Sequence, residues 1–187
     1  MSFVVIGRGH FPGRGASFGD RQEYADLPAY MMTLERCLRS YGVEVARVGG
    51  TTLAGQQDTA AALINAYRKE HPGAPCAFLA CHLNAGGAEY QRSVIFYDQR
   101  SSTGQAMAMA FSPDSPIPAA VKAAHRGDYT ARAYACIERI YAATPGGCCG
   151  LVIEALSLDR DPYGAGLLSR VATNHALKIA GYLRGES

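Results

Sequence analysis

Cys76-Ala77-Phe78-Leu79-Ala80-Cys81 is a run of small and apolar residues, and His82 follows it at once. A short apolar run between turn signals predicts a strand buried on both faces of a sheet. Residues 3–6 form a similar run that leads through a glycine-rich turn to His10. Open α/β sheets bind ligands at the carboxyl ends of their strands, so these two histidines are expected at a ligand crevice.

Helical patterns alternate with the apolar runs along the rest of the chain. Tyr24 to Tyr41 has apolar residues at intervals of three and four, and Gly42 is placed to end that helix. Further helices are predicted over residues 56–70, 101–111, 129–143 and 162–184, and strands over residues 3–6, 43–48, 76–81, 93–97 and 150–155. This order predicts an α/β fold: a three-layer sandwich with a mainly parallel (mixed) sheet and helices on both faces.

The composition is ordinary for a globular protein and excludes several classes. The 187 residues carry a net charge of +2 without a basic tract, so nucleic acid is not expected as a partner. No apolar stretch approaches the length of a bilayer span and no secretory signal is present, so we do not expect a membrane protein. We expect a cytoplasmic location as synthesised. The six cysteines contain no CxxC pair and are expected to be reduced.

We expect one domain over residues 1–187, because no repeat or long linker is visible. The proline-rich segment 112–118 is read as a connector, with a flap over a site as the alternative. His71, His125 and His175 are expected at the surface because their surroundings are polar.

Four polar residues are the candidates for chemistry. His10 and His82 follow predicted strands, Glu154 lies inside the apolar run of residues 151–155, and Glu23 opens the first helix. Two imidazoles and a carboxylate are a donor set of catalytic zinc, and a second carboxylate can move the proton of the attacking water. Each residue alone also has a structural interpretation, such as an ion pair for Glu154, and Asp20 or Asp26 could replace Glu23 as the ligand.

Four segments together resemble the zinc-dependent N-acetylmuramoyl-L-alanine amidases of the amidase-3 type, which include autolysins and phage lysins. The similarity covers roughly residues 3–183. The matching segments, in the order of the family, are Val4 to His10, Gly15 to Gly19 followed by Glu23, Phe78 to Ala85, and Leu151 to Ser157. The resemblance implies that His10, Glu23 and His82 bind one Zn²⁺ and that Glu154 is the general acid/base. It further implies that Asn84 helps to shape the site and that the substrate is the amide between N-acetylmuramic acid and L-alanine, in peptidoglycan or a muramyl peptide. On the same resemblance, residues 1–187 are expected to be a single catalytic domain with no wall-binding domain, which acts on the cell wall after release.

The chain departs from the family pattern at several positions. Arg8 stands where the family usually has proline, Cys81 stands beside a ligand position, and residues 48–76 lack the usual arginine and asparagine pattern. Strand alternation predicts that Cys81 faces away from His82. Two alternatives stay open: a related zinc amidohydrolase or peptidase that acts on a small acylated amino acid or peptide, and an inactive binding protein that retains the fold.

Overall fold

The computed structural model describes residues 1–10, 14–50, 52–85, 92–111, 119–124, 135–144, 148–159 and 163–186. The strands are β1 (Ser2–Arg8), β2 (Ser17–Phe18), β3 (Arg21–Gln22), β4 (Val43–Val48), β5 (Cys76–Asn84), β6 (Ser93–Asp98), β7 (Ala119–Ala124) and β8 (Cys149–Ser157). The helices are α1 (Glu23–Ser40), α2 (Leu53–Glu70), α3 (Ser102–Met109), α4 (Ala135–Ala143) and α5 (Ala165–Arg184). Helix α1 ends before Gly42, whose φ of +78° suits glycine, as predicted.

Six of these strands form one sheet in the order β4-β1-β5-β8-β6-β7. Strand β1 pairs in parallel with β4 and β5, and β5 pairs in parallel with β8. Strand β6 is antiparallel to β8 and parallel to the edge strand β7. The sheet is therefore mainly parallel but mixed, which confirms the prediction.

Alternate residues of each central strand enter two separate cores. Val4 and Ile6 of β1 pack with α1, α3 and α5, whereas Phe3 and Val5 pack with α2 and α4 on the opposite face. Such alternation follows from the two-residue period of a strand. Because helices cover both faces, β1, β5 and β8 are buried almost throughout, and the three-layer sandwich is confirmed.

The structure extends or adds several elements. Strand β5 continues to Asn84, so His82 lies within the strand and does not follow its end. Strand β7 was not predicted, because its alanine-rich sequence has little intrinsic strand preference and depends on pairing with β6. The β2–β3 hairpin was also not predicted, and α2 begins at Leu53. The proline-rich segment 112–118, His125 and residues 129–134 of a predicted helix lie outside the described residues.

His175 was expected at the surface, and that expectation is wrong. The residue lies on α5 with no exposed area, between the hydroxyl groups of Tyr30 and Ser93. Tyr30 Oη lies 2.8 Å from Nδ1, and Ser93 Oγ lies 3.4 Å from Nε2 and donates to the carbonyl of Ala155 at 2.7 Å. Two hydroxyl partners satisfy a neutral imidazole, and these partners come from distant parts of the sequence.

Candidate metal centre and active site

Neighbouring elements bring the four candidate residues together near the carboxyl ends of the central parallel strands. His10 follows β1, His82 lies in the adjacent strand β5, and Glu23 is the first residue of α1. Glu154 of β8 is the direct register partner of His82, so the two side chains point to the same face. On that face they lie beyond the α2–α4 core, where the sheet is open to a cavity.

His10, Glu23 and His82 form a compact group with the donor atoms of a metal site. One donor atom from each residue lies within 4.8 Å of the others. His82 Nδ1 is 3.2 Å from Glu23 Oε1, and His10 Nε2 is 3.4 Å from Glu23 Oε2. The imidazole rings are nearly perpendicular, at 86°, with centroids 4.9 Å apart. The three residues therefore form a possible metal-binding group.

The two aspartates considered in place of Glu23 are positioned differently. Asp26 accepts a hydrogen bond of 2.8 Å from the hydroxyl of Tyr163, and Asp20 is exposed. Neither belongs to the possible metal-binding group. Glu23 is thus the carboxylate that the described structure brings to both histidines.

Backbone donors hold both oxygens of Glu23, which is only 1% exposed. The amide of Leu83 donates to Oε1 at 3.0 Å, and the amide of Ala16 donates to Oε2 at 2.9 Å. The amide of Glu23 in turn donates to the carbonyl of Ala16 at 3.0 Å. Hydrogen bonds of this kind fix the orientation of a metal ligand before the metal binds.

Two glycines leave room for the group. A Cβ atom on Gly9 would lie 2.1 Å from Cε1 of His82, which is far inside van der Waals contact. Gly15 has a φ of +107°, and a Cβ atom there would lie 2.7 Å from Oε2 of Glu23. The glycine-rich turn after β1 is therefore required by the close approach of the backbone to the site.

The group is electrostatically coupled. Burial lowers the pKa of His10, which the charge of Glu23 offsets only in part, so this imidazole is neutral at neutral pH. Burial opposes ionisation of Glu23, but the hydrogen bond and charge of His82 lower the pKa of that carboxyl overall. Burial would lower the pKa of His82, but the hydrogen bond to Glu23 and the charges of Glu154 and Glu23 raise it. A buried carboxylate held between two imidazoles is a ready acceptor for a cation.

Glu154 is the fourth polar residue and differs from Glu23 in having no hydrogen bond to a described residue. It is partly exposed and lines a cavity of about 430 Å³ together with His10, His82, Arg8 and Arg14. Burial raises the pKa of Glu154 to about 6; the charge of His82 lowers it and that of Glu23 raises it further. A carboxyl group with a pKa near neutrality and a free side towards a cavity can both accept and donate a proton.

Asn84 and Cys81 flank His82 without entering the cavity. The side-chain oxygen of Asn84 accepts from the amide of Ala85 at 2.8 Å, and its carbonyl accepts from the amide of Leu158 at 2.7 Å. Cys81 is fully buried in the core formed with α1, α3 and α5, where burial raises the pKa of its thiol to about 12. Cys81 therefore faces away from His82, as predicted, and all six cysteines are free.

Sequence reasoning did not assign a binding role to Arg8, Arg14 or Gln56. Arg8 and Gln56 line both the 430 Å³ cavity and an adjoining one of about 360 Å³. The only sequence signal was the departure of Arg8 from the usual proline. Gln56 belongs to α2, and the sequence periodicity did not indicate that its side chain faces the cavity.

Comparison with solved structures identifies the fold as that of the N-acetylmuramoyl-L-alanine amidases. The catalytic domain of the amidase CwlV from Bacillus (Paenibacillus) polymyxa var. colistinus superposes with a TM-score of 0.69 at 19% identity, over 98% of this chain and 99% of that domain. The CwlD amidase from Clostridioides difficile, in a complex with the GerS lipoprotein, gives 0.71 at 15% identity over 99% of this chain and 100% of CwlD.

An endolysin shares the fold as well. The catalytic domain of the CD27L endolysin, which targets Clostridia difficile, gives a TM-score of 0.56 at 15% identity over 95% of this chain and 97% of that domain. No protein-family profile matches the chain. No curated protein matches it by sequence either. The chain thus shares the amidase fold but is divergent in sequence, as predicted.

None of the helices in the described ranges combines the length and apolar character that a bilayer crossing requires.

Proposed function

We propose that this chain is a zinc-dependent N-acetylmuramoyl-L-alanine amidase. It hydrolyses the amide between N-acetylmuramic acid and the L-alanine of peptidoglycan. The observation that carries the proposal is the group of His10, Glu23 and His82 together with the carboxylate of Glu154, which is the register partner of His82. The amidase fold of the chain supports the same assignment.

The donor set fits zinc. Two imidazole nitrogens and one carboxylate are a ligand set of catalytic zinc sites, in which a fourth position stays open for water or substrate. His10 is partly exposed to the cavity, so the open side of the group faces the space that a substrate would enter. When bound, zinc would lower the pKa of a water molecule and polarise the carbonyl under attack. Glu23, held by two backbone amides, would keep the ligand geometry fixed.

Glu154 would transfer the proton in this reaction. In its ionised form it accepts a proton from the attacking water, and it then donates that proton to the nitrogen of L-alanine as the carbon–nitrogen bond breaks. With its pKa raised to about 6, the same group can serve in both directions near neutral pH. The amine product leaves as a stem peptide that begins with L-alanine, and the lactyl carboxylate stays on the sugar. Asn84 would support this arrangement by fixing the backbone that follows His82.

The shape of the site favours a long substrate over a small acylated amino acid. The 430 Å³ cavity, which contains Glu154, adjoins the 360 Å³ cavity, and the two share Arg8, His10 and Gln56. Both cavities are therefore open beside His10. A polymer with a sugar on one side of the scissile amide and a peptide on the other needs space in both directions. An inactive binding protein is disfavoured because all four residues of the proposed chemistry are present and close together.

Digestion of purified peptidoglycan tests the proposal. The chain is incubated with intact wall material, with and without a chelator, and the soluble products are analysed by mass spectrometry. We expect free stem peptides that begin with L-alanine, their loss with chelator, and their return when zinc is added. Glu154→Gln is the matched control, because it keeps the size of the side chain and the three ligands. Products from the chelated protein, or none from the zinc-loaded protein, would refute the assignment.

A further inference from the structure

Arg8 carries a charge that the described part of the protein does not neutralise. Other arginines form ion pairs with carboxylates, namely Arg39, Arg47, Arg100, Arg139 and Arg184. Arg8 pairs with no carboxylate among the described residues, and its Nε is buried without a hydrogen-bond partner. A partly buried cation with an unsatisfied donor is unfavourable unless something binds to it.

The position of Arg8 is set by the first turns of α1. Pro28 lies inside this helix and has no N–H group, so the carbonyl of Tyr24, four residues earlier, has no helical donor. Nη2 of Arg8 donates to this carbonyl, and the guanidinium lies 3.6 Å from the centroid of the Tyr24 ring. One hydrogen bond and one ring contact thus orient the guanidinium, and its remaining donors are not used by described residues.

The Arg8 guanidinium, which has no carboxylate partner among the described residues, lies where the two cavities meet. Arg8 lines both of them, together with His10 and Gln56. Gln56 is 4% exposed, and its side-chain amide makes no hydrogen bond to a described residue. Arg47 lines the cavity of about 360 Å³, but it is already paired with Glu35, so it does not compete for an anion there. The guanidinium of Arg8 and the amide of Gln56 thus have donors beside His10 that no described residue uses, and these donors can bind an oxyanion.

We propose that Arg8 and Gln56 form a subsite for a free carboxylate on the peptide part of the substrate. This inference rests on the proposed function, because it places the carboxylate beyond the amide that is cut at His10, Glu23 and His82. The ligand is an acidic peptide attached through L-alanine to a muramoyl group. The subsite selects substrates whose residue after L-alanine bears a carboxylate over those in which it is a carboxamide. Arg8 and Gln56 act here in binding, and the proton transfer belongs to Glu154.

Binding of two matched ligands tests the subsite. The probes are N-acetylmuramoyl-L-alanyl-D-glutamate and the same compound with both carboxylates converted to carboxamides. Dissociation constants are measured by calorimetry on the full zinc-loaded chain with Glu154→Gln, which prevents turnover. A hydrogen bond to a charged group predicts that the acid binds roughly 10- to 100-fold more tightly than the amide. Arg8→Gln in the same background should reduce this ratio to below about threefold, and Arg8→Lys, which lacks the fork of donors, should give an intermediate ratio.

Two further variants keep the test independent of folding. Gln56→Glu puts a like charge beside the ligand carboxylate, so it should weaken binding of the acid and leave binding of the amide unchanged. Arg184→Gln removes a charge that is paired with Glu186 and lines neither cavity, so it should leave the ratio unchanged. An Arg8→Gln protein with an undiminished ratio, or a Gln56→Glu protein that loses both ligands equally, would overturn the proposal.

Hydrolysis separates this inference from the proposed function. With Glu154 intact, Arg8→Gln should raise KM for the acidic substrate much more than it lowers kcat. A chain that cleaves the muramoyl–alanine bond with the same KM in both forms retains the amidase and loses the subsite. A chain that binds the acid through Arg8 but never cleaves the bond retains the subsite and loses the amidase.

Discussion

A buried histidine lies on each side of the central sheet, and the two histidines have different surroundings. His82 lies on the α2–α4 face, beside Glu23 and Glu154 and next to a cavity. His175 belongs to the α1–α5 side, has no exposed area and contacts the hydroxyls of Tyr30 and Ser93. Both imidazoles are hydrogen-bonded, so the presence of a partner does not distinguish them.

The chemistry of the partners does distinguish them. Burial alone lowers the pKa of His175, to about 3, and this residue stays neutral throughout the range in which proteins are stable. Burial acts on His82 as well, but the nearby carboxylates outweigh it and raise its pKa. A histidine held by neutral hydroxyls stabilises a core, whereas one held by carboxylates at a cavity is prepared for a cation.

Removal of the Glu154 carboxylate, which lines the 430 Å³ cavity, should have the largest effect on turnover. Glu154→Gln keeps the shape of the site but cannot accept a proton, so we expect kcat for peptidoglycan to fall by about 10²- to 10⁴-fold. Zinc content, measured on the same preparation, should stay at the wild-type level because the three proposed ligands are intact. If turnover persists at the wild-type rate, Glu154 is not the acid/base.

The buried His175, on the α1–α5 side of the sheet, predicts that the free energy of unfolding depends on pH. Between its ordinary pKa of 6.5 and the folded value of about 3, His175 binds a proton in the unfolded chain and not in the folded one. The free energy of unfolding should therefore fall by up to roughly 1.4 kcal/mol for each pH unit below 6.5 from this group. Urea titrations at several pH values measure the slope.

His175→Leu provides the control for that slope. It removes the titrating group, so the variant should lose this part of the pH dependence while its zinc affinity stays unchanged. It should also be less stable at neutral pH, because the hydroxyls of Tyr30 and Ser93 lose a partner. An identical slope in wild type and variant would show that another group causes the pH effect.

An effect on zinc affinity, smaller than the effect of Glu154→Gln on turnover, is expected when Gly9 in the turn after β1 is replaced. Gly9→Ala places a Cβ atom 2.1 Å from the ring of His82, so either the turn or the imidazole must move. We expect zinc affinity to fall by about 10- to 100-fold, as for changes that disturb the orientation of a metal ligand. Competition with a fluorescent chelator measures the affinity. Gly19→Ala, in the turn of the β2–β3 hairpin, is the comparison, because no described residue lies within 4 Å of a Cβ atom there, although its φ of +60° adds some strain.

The smallest effect is expected for Cys81, which precedes His82 in β5 and packs into the core on the opposite side of the sheet. Cys81→Ala should change zinc affinity by less than about twofold, because Cys81 packs on the opposite face from His82. It should lower the free energy of unfolding by about 1 kcal/mol through the lost packing volume. Thermal unfolding and the chelator competition report the two quantities separately, and a large loss of zinc would place the thiol at the metal.

Strand ends and their polar residues made much of this arrangement predictable from the sequence. The runs before His10, His82 and Glu154 indicated buried parallel strands, and parallel strands bring their carboxyl ends to one edge. The burial of His175 was not predictable in the same way, because its partners lie 145 and 82 residues away in the sequence. The orientation of Arg8 depends on Pro28 in another element, and the extension of β5 to Asn84 depends on its pairing with β8.

We expect a metal to bind beside His82, next to the 430 Å³ cavity, and not beside His175 in the core on the other side of the sheet. Crystals grown with zinc and measured at the zinc absorption edge give the position of the ion directly. We expect one strong anomalous peak bounded by His10 Nε2, Glu23 and His82 Nδ1, and its disappearance in crystals of Glu23→Ala. A zinc-loaded protein with its peak elsewhere, or one whose peak survives the loss of Glu23, would contradict the assignment of the site.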